Sequence, residues 1–188
     1  LREAMAPLAT TRVITVANQK GGVGKTTTAV NIGAALAMGG LKVLLIDLDP
    51  QANASSGLSV NRNEQHESTY DVLCGEIPLA DIITETTVEN LFLAPATTSL
   101  AAAEQELVSV LARESVLKQV LSSLVYDYVL IDCPPSLGLL SINALVACDS
   151  VLIPVQTEFY ALEGLGLLIQ TIQRVQAGLN PKLKIIGV

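Results

Sequence analysis

The 188-residue sequence contains no tryptophan, and aromatic residues make up only 3% of it. A surface that stacks the bases of a single strand needs several such rings, so that kind of binder is not expected. Histidine occurs once, as His66. With no second histidine or suitably spaced cysteine, it is not read as a metal ligand, and no serine–histidine triad is evident. The three cysteines, Cys74, Cys133 and Cys148, are odd in number and form no CxxC pair. They read as buried free thiols of a reducing cytosol, with Cys133 filling core. Half of the residues are hydrophobic, yet no uninterrupted apolar run reaches the ~18 residues a membrane span needs. The longest runs are broken by Lys42, Asn143 or Glu163. Residues Leu1–Thr11 lack the apolar h-region of a secretory signal, and the first residue is not methionine, as in a fragment or a processed end. Positive charge is also scarce. Eleven basic residues stand against 18 acidic ones, for a net charge of −7, and they form no patch suited to nucleic acid.

What the sequence does have is a glycine-rich loop, Gln19-Lys20-Gly21-Gly22-Val23-Gly24-Lys25-Thr26-Thr27. It follows an apolar run, Val13–Ala17. It precedes a helical pattern with apolar or small residues at Ala29, Val30, Ile32, Gly33, Leu36 and Ala37. Strand, loop and helix in that order suit a phosphate cradle. Glycines let backbone N–H groups close around phosphate oxygens, and the helix points its N-terminal dipole at the same anion. Lys25 reaches β- and γ-phosphates in such a loop, and the Thr26 hydroxyl can ligate Mg²⁺. The loop departs from the usual G-x-x-x-x-G-K-[ST] pattern, because Gln19 stands where the first glycine belongs, followed by Lys20.

The rest of the chain alternates strands with helices. Lys42–Asp47 and Tyr128–Asp132 have continuously apolar cores that end in aspartates, as buried parallel strands do. Leu91–Ala94, Val151–Ile153 and Leu183–Val188 read as further strands. Gly39-Gly40 stops the first helix. Ala52–Glu67 reads as a surface loop with one short helix, and Thr69–Gly75 and Ile77–Thr84 as short helices or turns. Ser99–Leu124 reads as one long amphipathic helix with Ser99 as N-cap and a core stripe at 107, 108, 111, 117, 120, 121 and 124. Helices follow at Leu139–Cys148 and Leu162–Ala177. The expected fold class is therefore α/β, a mostly parallel sheet covered by helices on both faces. The expected division is an extension at 1–11 and a nucleotide-binding domain at 12–188. That domain reads as incomplete, because Lys184–Val188 resembles an interior strand.

Ligands of such sheets sit beyond the carboxyl ends of the strands, where Asp47, Asp49 and Asp132 fall. A lone strand-end aspartate such as Asp132 serves equally as a turn residue or helix cap. Beside a phosphate loop, it reads as a carboxylate for Mg²⁺ opposite Thr26. Asp47 and Asp49 lie two residues apart and share a face if the strand is extended through both. One can approach the metal's shell while the other orients a water, and spacing alone permits either order. Lys20 stands at the rim, where it is either a solvated lysine or a positive group for a facing subunit.

The K-G-G-x-G-K-[ST] loop of Lys20–Thr26 resembles the deviant phosphate loop shared by ParA-type partition ATPases, MinD and the nitrogenase iron protein. Further motifs look like those of ParA/Soj partition ATPases: Asn18-Gln19, D-L-D-P-Q at Asp47–Gln51, D-C-P-P-S at Asp132–Ser136 and P-V-Q-T-E-F-Y-A-L-E-G at Pro154–Gly164. The similarity runs from about Arg12 to Val188. It implies a slow Mg²⁺-dependent ATPase of the cytoplasm, associated with the nucleoid, that forms a homodimer on binding ATP. It further implies nonspecific DNA binding and a ParB-like activator. It assigns catalysis to Asp49, Lys25 and Lys20, nucleotide contacts to Lys20, Gly21, Gly22, Val23, Gly24, Lys25, Thr26 and Thr27, and the metal to Thr26, Asp132 and Asp47. Lys20 would contact the partner's phosphates, and Asp49 rather than Asp47 would face the water. Adenine contacts and much of the DNA surface would lie beyond Val188. A MinD-like membrane-surface ATPase is the alternative. The cysteines lack the arrangement a cluster-bearing relative requires. One departure is Ala52, where D-P-Q-G-N is more usual, a change that matters only if the backbone there has positive φ.

Overall fold

The computed structural model describes residues 10–58, 67–157 and 161–188, without side-chain detail at 161–163. His66 and most of the 1–11 segment lie outside the described residues. The strands are β1 (Arg12–Val16), β2 (Val43–Asp47), β3 (Thr84–Glu85), β4 (Leu91–Ala94), β5 (Tyr128–Asp132), β6 (Ser150–Leu152) and β7 (Lys184–Gly187). Among the described residues they form one seven-stranded sheet in the order β3-β4-β2-β5-β1-β6-β7. All neighbours run parallel except β3, a two-residue antiparallel edge that the sequence reading did not anticipate.

Both faces of the sheet are covered, and β2 shows why its sequence is apolar throughout. All five of its residues are buried. Leu44 and Ile46 pack on one face, with α7 (Leu139–Ala147) and α8 (Ala161–Gly178), whereas Val43 and Leu45 pack on the other, with α1 (Lys25–Met38). Strand side chains alternate between faces, so a strand buried on both must be apolar at every position. Helix α1 lies close because its buried stripe is small: Ala29, Gly33 and Ala37. A Cβ on Gly33 would come within 3.2 Å of Leu91 Cδ1 and 3.3 Å of Leu130 Cδ1. The helix ends at Gly39, with Gly40 at φ 92°, as the paired glycines predicted.

The long helix expected over Ser99–Leu124 is broken in the structure. It consists of α5 (Leu100–Glu106), two 3₁₀ turns at Leu107–Ser109 and Arg113–Ser115, and α6 (Val116–Leu121). Val110 turns extended and Ala112 takes φ 54°, which ends the periodicity. The cause is tertiary. Buried Asn143 on α7 accepts the Leu117 N–H (3.1 Å) and donates to the Arg113 carbonyl (2.8 Å), so α6 starts where Asn143 holds it. Leu107 and Leu117 are core, but Val108 and Leu111 are exposed. Ser99 is itself helical and makes no side-chain cap bond. Two smaller expectations also shift. Cys133 and Cys148 are buried, but Cys74 is only half-buried. The start of the Ala52–Glu67 segment is core, since Ala52, Ala54, Ser55 and Leu58 are buried around α2 (Asn53–Gly57).

Ala52 has φ 50° and ψ 44°. An L-residue with a Cβ costs about 1–2 kcal/mol in that conformation. Ala52→Gly relieves this strain but forfeits about 0.8 kcal/mol of methyl burial and adds freedom to the unfolded chain. These effects nearly cancel, so chemical denaturation should show a change within about 0.5 kcal/mol. Ala54→Gly, two residues on in ordinary helix, should cost about 1.5 kcal/mol. Equal losses at the two positions would show that Ala52 is unstrained.

Candidate functional site

The strand order β2-β5-β1 builds the site. Register pairs Asp132 with Val16 on one side and with Asp47 on the other. The last residue of β5 thus lies between the loop that leaves β1 and the acids that end β2. The cleft above them has a volume of about 650 Å³ and is lined by Gly21, Gly22, Gly24, Lys25, Thr26 and Thr27 of the loop. Asp49, Gln51, Asn53 and Pro135 line its other side. Lys20 and Val23 are not among the lining residues; Val23 is buried and Lys20 is half-buried.

The loop's shape comes from its glycines and one asparagine. Gly22 and Gly24 have φ 75° and 89°, and Gly24 precedes the first turn of α1 without a side-chain cap. The N–H groups at this helix start are therefore available to an anion. Buried Asn18 sets the loop's entry: its Oδ1 accepts the Lys20 N–H at 3.0 Å, and its Nδ2 donates to the Pro154 carbonyl at 2.7 Å. Gln156, from the segment after β6, donates to the Gly22 carbonyl at 3.1 Å. Lys25 is 6% exposed, and its Nζ donates to the Lys20 carbonyl at 3.0 Å. Burial lowers its pKa, and the nearby carboxylates of Asp132 and Asp49 oppose that shift.

The three acids are in different states. Asp47 is fully buried and already engaged. Its Oδ1 accepts the Asp49 N–H (3.1 Å), and its Oδ2 accepts the Ser55 N–H (2.9 Å) and hydroxyl (2.8 Å). Asp49 is 7% exposed, and its Oδ1 accepts the Gln51 N–H at 2.9 Å, a local turn that aims the carboxyl at the cleft it lines. Asp132 is fully buried, and neither of its oxygens makes a hydrogen bond of good geometry, although the Thr26 hydroxyl lies beside it. Burial pushes its pKa up to about 7; the Thr26 hydroxyl and the Lys25 charge oppose the shift, and Asp47 and Asp49 add to it.

An orphaned buried carboxylate beside a threonine hydroxyl is a site for a hard cation, since both donors are oxygens. Among the described residues, no group of three or more His, Cys, Asp and Glu could hold a metal ion alone. A cation here would share its shell with phosphate oxygens and water, as Mg²⁺ does. The sequence singled out the loop, Asp47, Asp49 and Asp132. It missed Ser55, which occupies Asp47, because that contact spans eight residues with no shared motif. Asn18 was visible only as part of a resemblance motif.

The state of Asp132 sets a pH dependence. Its folded pKa of about 7 lies above the ordinary 3.8, so the unfolded chain loses the proton first as pH rises. Metal-free protein should therefore lose stability from about pH 4 to 7, then level off. Asp132→Asn should flatten this profile and raise the metal-free Tm at pH 7.5 by more than about 3 °C. Unchanged thermal unfolding in the variant would mean that Asp132 is not strained by burial.

A family model described as an AAA domain matches residues 11–185. The chain is 56% identical to sporulation initiation inhibitor protein Soj of Bacillus subtilis over 179 residues, covering 94% of this chain and 71% of Soj. It is 50% identical to chromosome partitioning protein ParA of Caulobacter vibrioides over 181 residues, covering 94% and 68%. Among solved structures, it is similar to cobyrinic acid a,c-diamide synthase from Mycobacterium smegmatis with bound ATP analog and magnesium. The TM-score is 0.91 and the identity 43%, over 95% of this chain and 74% of that one. With the glycine loop, the paired aspartates and the sheet order all in place, the chain belongs to the ParA/Soj family of partition ATPases.

Proposed function

We propose that this chain is a Mg²⁺-dependent ATPase that switches between a free and an ATP-paired state during chromosome or plasmid partition. The observation that carries this reading is the orphaned carboxylate of Asp132 beside Thr26 and the phosphate loop. Thr26 and Asp132 would hold Mg²⁺, and Asp47 would support that shell while its own bonds fix the Asp49 turn. A bound ion would supply charge neutralisation to the phosphates. Gly21 to Thr27 cradle the phosphates through backbone N–H groups, and Lys25 leaves the Lys20 carbonyl to meet their charge. Asp49 holds and orients the attacking water in line with the leaving oxygen. Lys20, at the rim, reaches the phosphates of a facing subunit and makes ATP binding a condition of dimer formation. Release from DNA then follows hydrolysis, stimulated by a ParB-like partner. The domain division at 11/12 belongs to the same proposal. ParA of Caulobacter vibrioides is a chromosome partitioning protein, and neither it nor Soj lends support to the membrane-surface alternative.

Size-exclusion chromatography and DNA co-sedimentation of the full-length protein, with ATP against ADP, test this function. Wild type should dimerise and pellet with DNA only in ATP. Lys20→Ala should bind nucleotide normally but stay monomeric, with hydrolysis and DNA binding lost together. A Lys20→Ala protein that dimerises normally on ATP would overturn the trans role. Pelleting with anionic liposomes instead of DNA would favour the membrane reading.

A further inference from the structure

Helix α5 carries two carboxylates, Glu104 and Glu106, that are absent from the residues lining the cleft. They reach in different directions. Glu104 Oε1 accepts the Leu140 N–H at 3.3 Å, in the first turn of α7. That helix has Gly138 at its N-cap and no capping side chain of its own, so an acid from another helix serves its exposed N–H groups. A Cβ placed on Gly138 would overlap the Glu104 carboxylate. Gly138 has φ −80°, which other residues adopt, so an added Cβ would act by pushing the Glu104 carboxylate aside and not through the backbone. The segment fixed in this way runs directly from Asp132 through Pro135, which lines the cleft. Within it, the Ser141 hydroxyl donates back to the Ser136 carbonyl.

Glu106 turns to α3 (Thr69–Leu73) and the residue after it. It accepts the Tyr70 hydroxyl at 2.6 Å and the Cys74 thiol at 3.1 Å. Helix α3 is in turn tied to the end of β2, because the Thr69 hydroxyl donates to the Asp47 carbonyl at 3.0 Å. One short helix therefore joins the segment that follows Asp132 to a helix tied to the end of β2, two residues before Asp49.

We propose that Glu104 and Glu106 are positioning residues: Asp132 and Asp47 are already fixed as strand neighbours, and α5 acts as a brace that holds the loops leaving those strands, with Pro135 and Asp49, in place across the cleft. The inference deepens the hydrolytic reading above and rests on it for its kinetic consequence. A carboxylate that holds a metal and one that orients water must be spaced to fit the same phosphoryl group, and small displacements cost rate rather than binding.

The full-length protein with MgATP tests the brace. Glu104→Ala should lower kcat about tenfold while KM for ATP stays within about twofold. Glu104→Gln, whose amide oxygen still accepts from Leu140, should recover most of the rate. Gly138→Ala should resemble Glu104→Ala, and the double variant should be no worse than either single one, since the two changes break the same contact. Amide hydrogen exchange gives a readout that needs no catalysis. Glu106→Ala should speed exchange at residues 137–142 as well as at its own contacts in 70–75. Loosening confined to 70–75 would overturn the brace, because two independent clamps would behave that way. So would an unchanged kcat in Glu104→Ala, or a loss of thermal stability without a kcat effect. A wild-type protein that does not hydrolyse ATP would sink the hydrolytic reading instead, and the exchange result would still decide whether α5 couples the two segments.

Discussion

Lys25→Ala should lower affinity for MgATP by more than about 100-fold, as two or more charge-assisted bonds are lost at about 1.5–3 kcal/mol each. Lys25 is nearly buried at 6% exposure, so water cannot replace its ammonium as it would at a surface. The neighbouring carboxylates sharpen the effect. With Lys25 gone, Asp132 and Asp49 face an incoming polyphosphate without the ammonium that now opposes their charge. The backbone cradle of Gly21–Gly24 remains, but its N–H groups alone must then overcome that repulsion. Isothermal calorimetry of wild type and variant decides the matter. An unchanged dissociation constant would mean that nucleotide does not use this loop.

Asp49→Asn should bind ATP and dimerise normally, yet lose hydrolysis by about 10²–10³-fold. Asparagine is the informative substitution because Asp49 has a second task. Its Oδ1 accepts the Gln51 N–H and so shapes the turn beneath the cleft. An amide oxygen keeps that bond and its geometry, whereas alanine removes both the turn and the charge. If the carboxylate orients the attacking water, Asn is as inactive as Ala in phosphate release, while its nucleotide affinity stays within about twofold of wild type. An active Asp49→Asn protein would reduce Asp49 to a turn former and leave the water without its partner.

The parts of the fold that were legible in the sequence are those where one residue type suffices for a physical reason. Uninterrupted apolar runs ending in Asp47 and Asp132 gave the buried strands, since both faces of a covered sheet must be dry. The glycines at 22 and 24 marked the loop because positive φ excludes most side chains. The segment from Ser99 to Leu124 misled for the opposite reason. Its leucines and valines keep helical spacing, but Asn143, distant in sequence, captures Leu117 and Arg113 and starts a new helix there. Edge strand β3 is two residues long, too short to alternate visibly. In the site, spacing alone left Asp47 and Asp49 interchangeable. Their difference comes from Ser55, whose hydroxyl and N–H occupy Asp47 and leave Asp49 at the cleft.

The bond from the Lys25 ammonium to the Lys20 carbonyl gives the loop an internal rival for its own ligand. An anion that enters competes with that oxygen for the three N–H donors of Lys25. The Lys20 peptide is gripped at both ends, by Asn18 at its N–H and by Lys25 at its carbonyl, so the same competition loosens one end of that grip. A single phosphate brings little charge to this contest, while a triphosphate chain can meet the ammonium with several oxygens at once. The loop should therefore favour a triphosphate over inorganic phosphate, which their dissociation constants would show. It also ties the release of the rim lysine's backbone to the arrival of a ligand long enough to win.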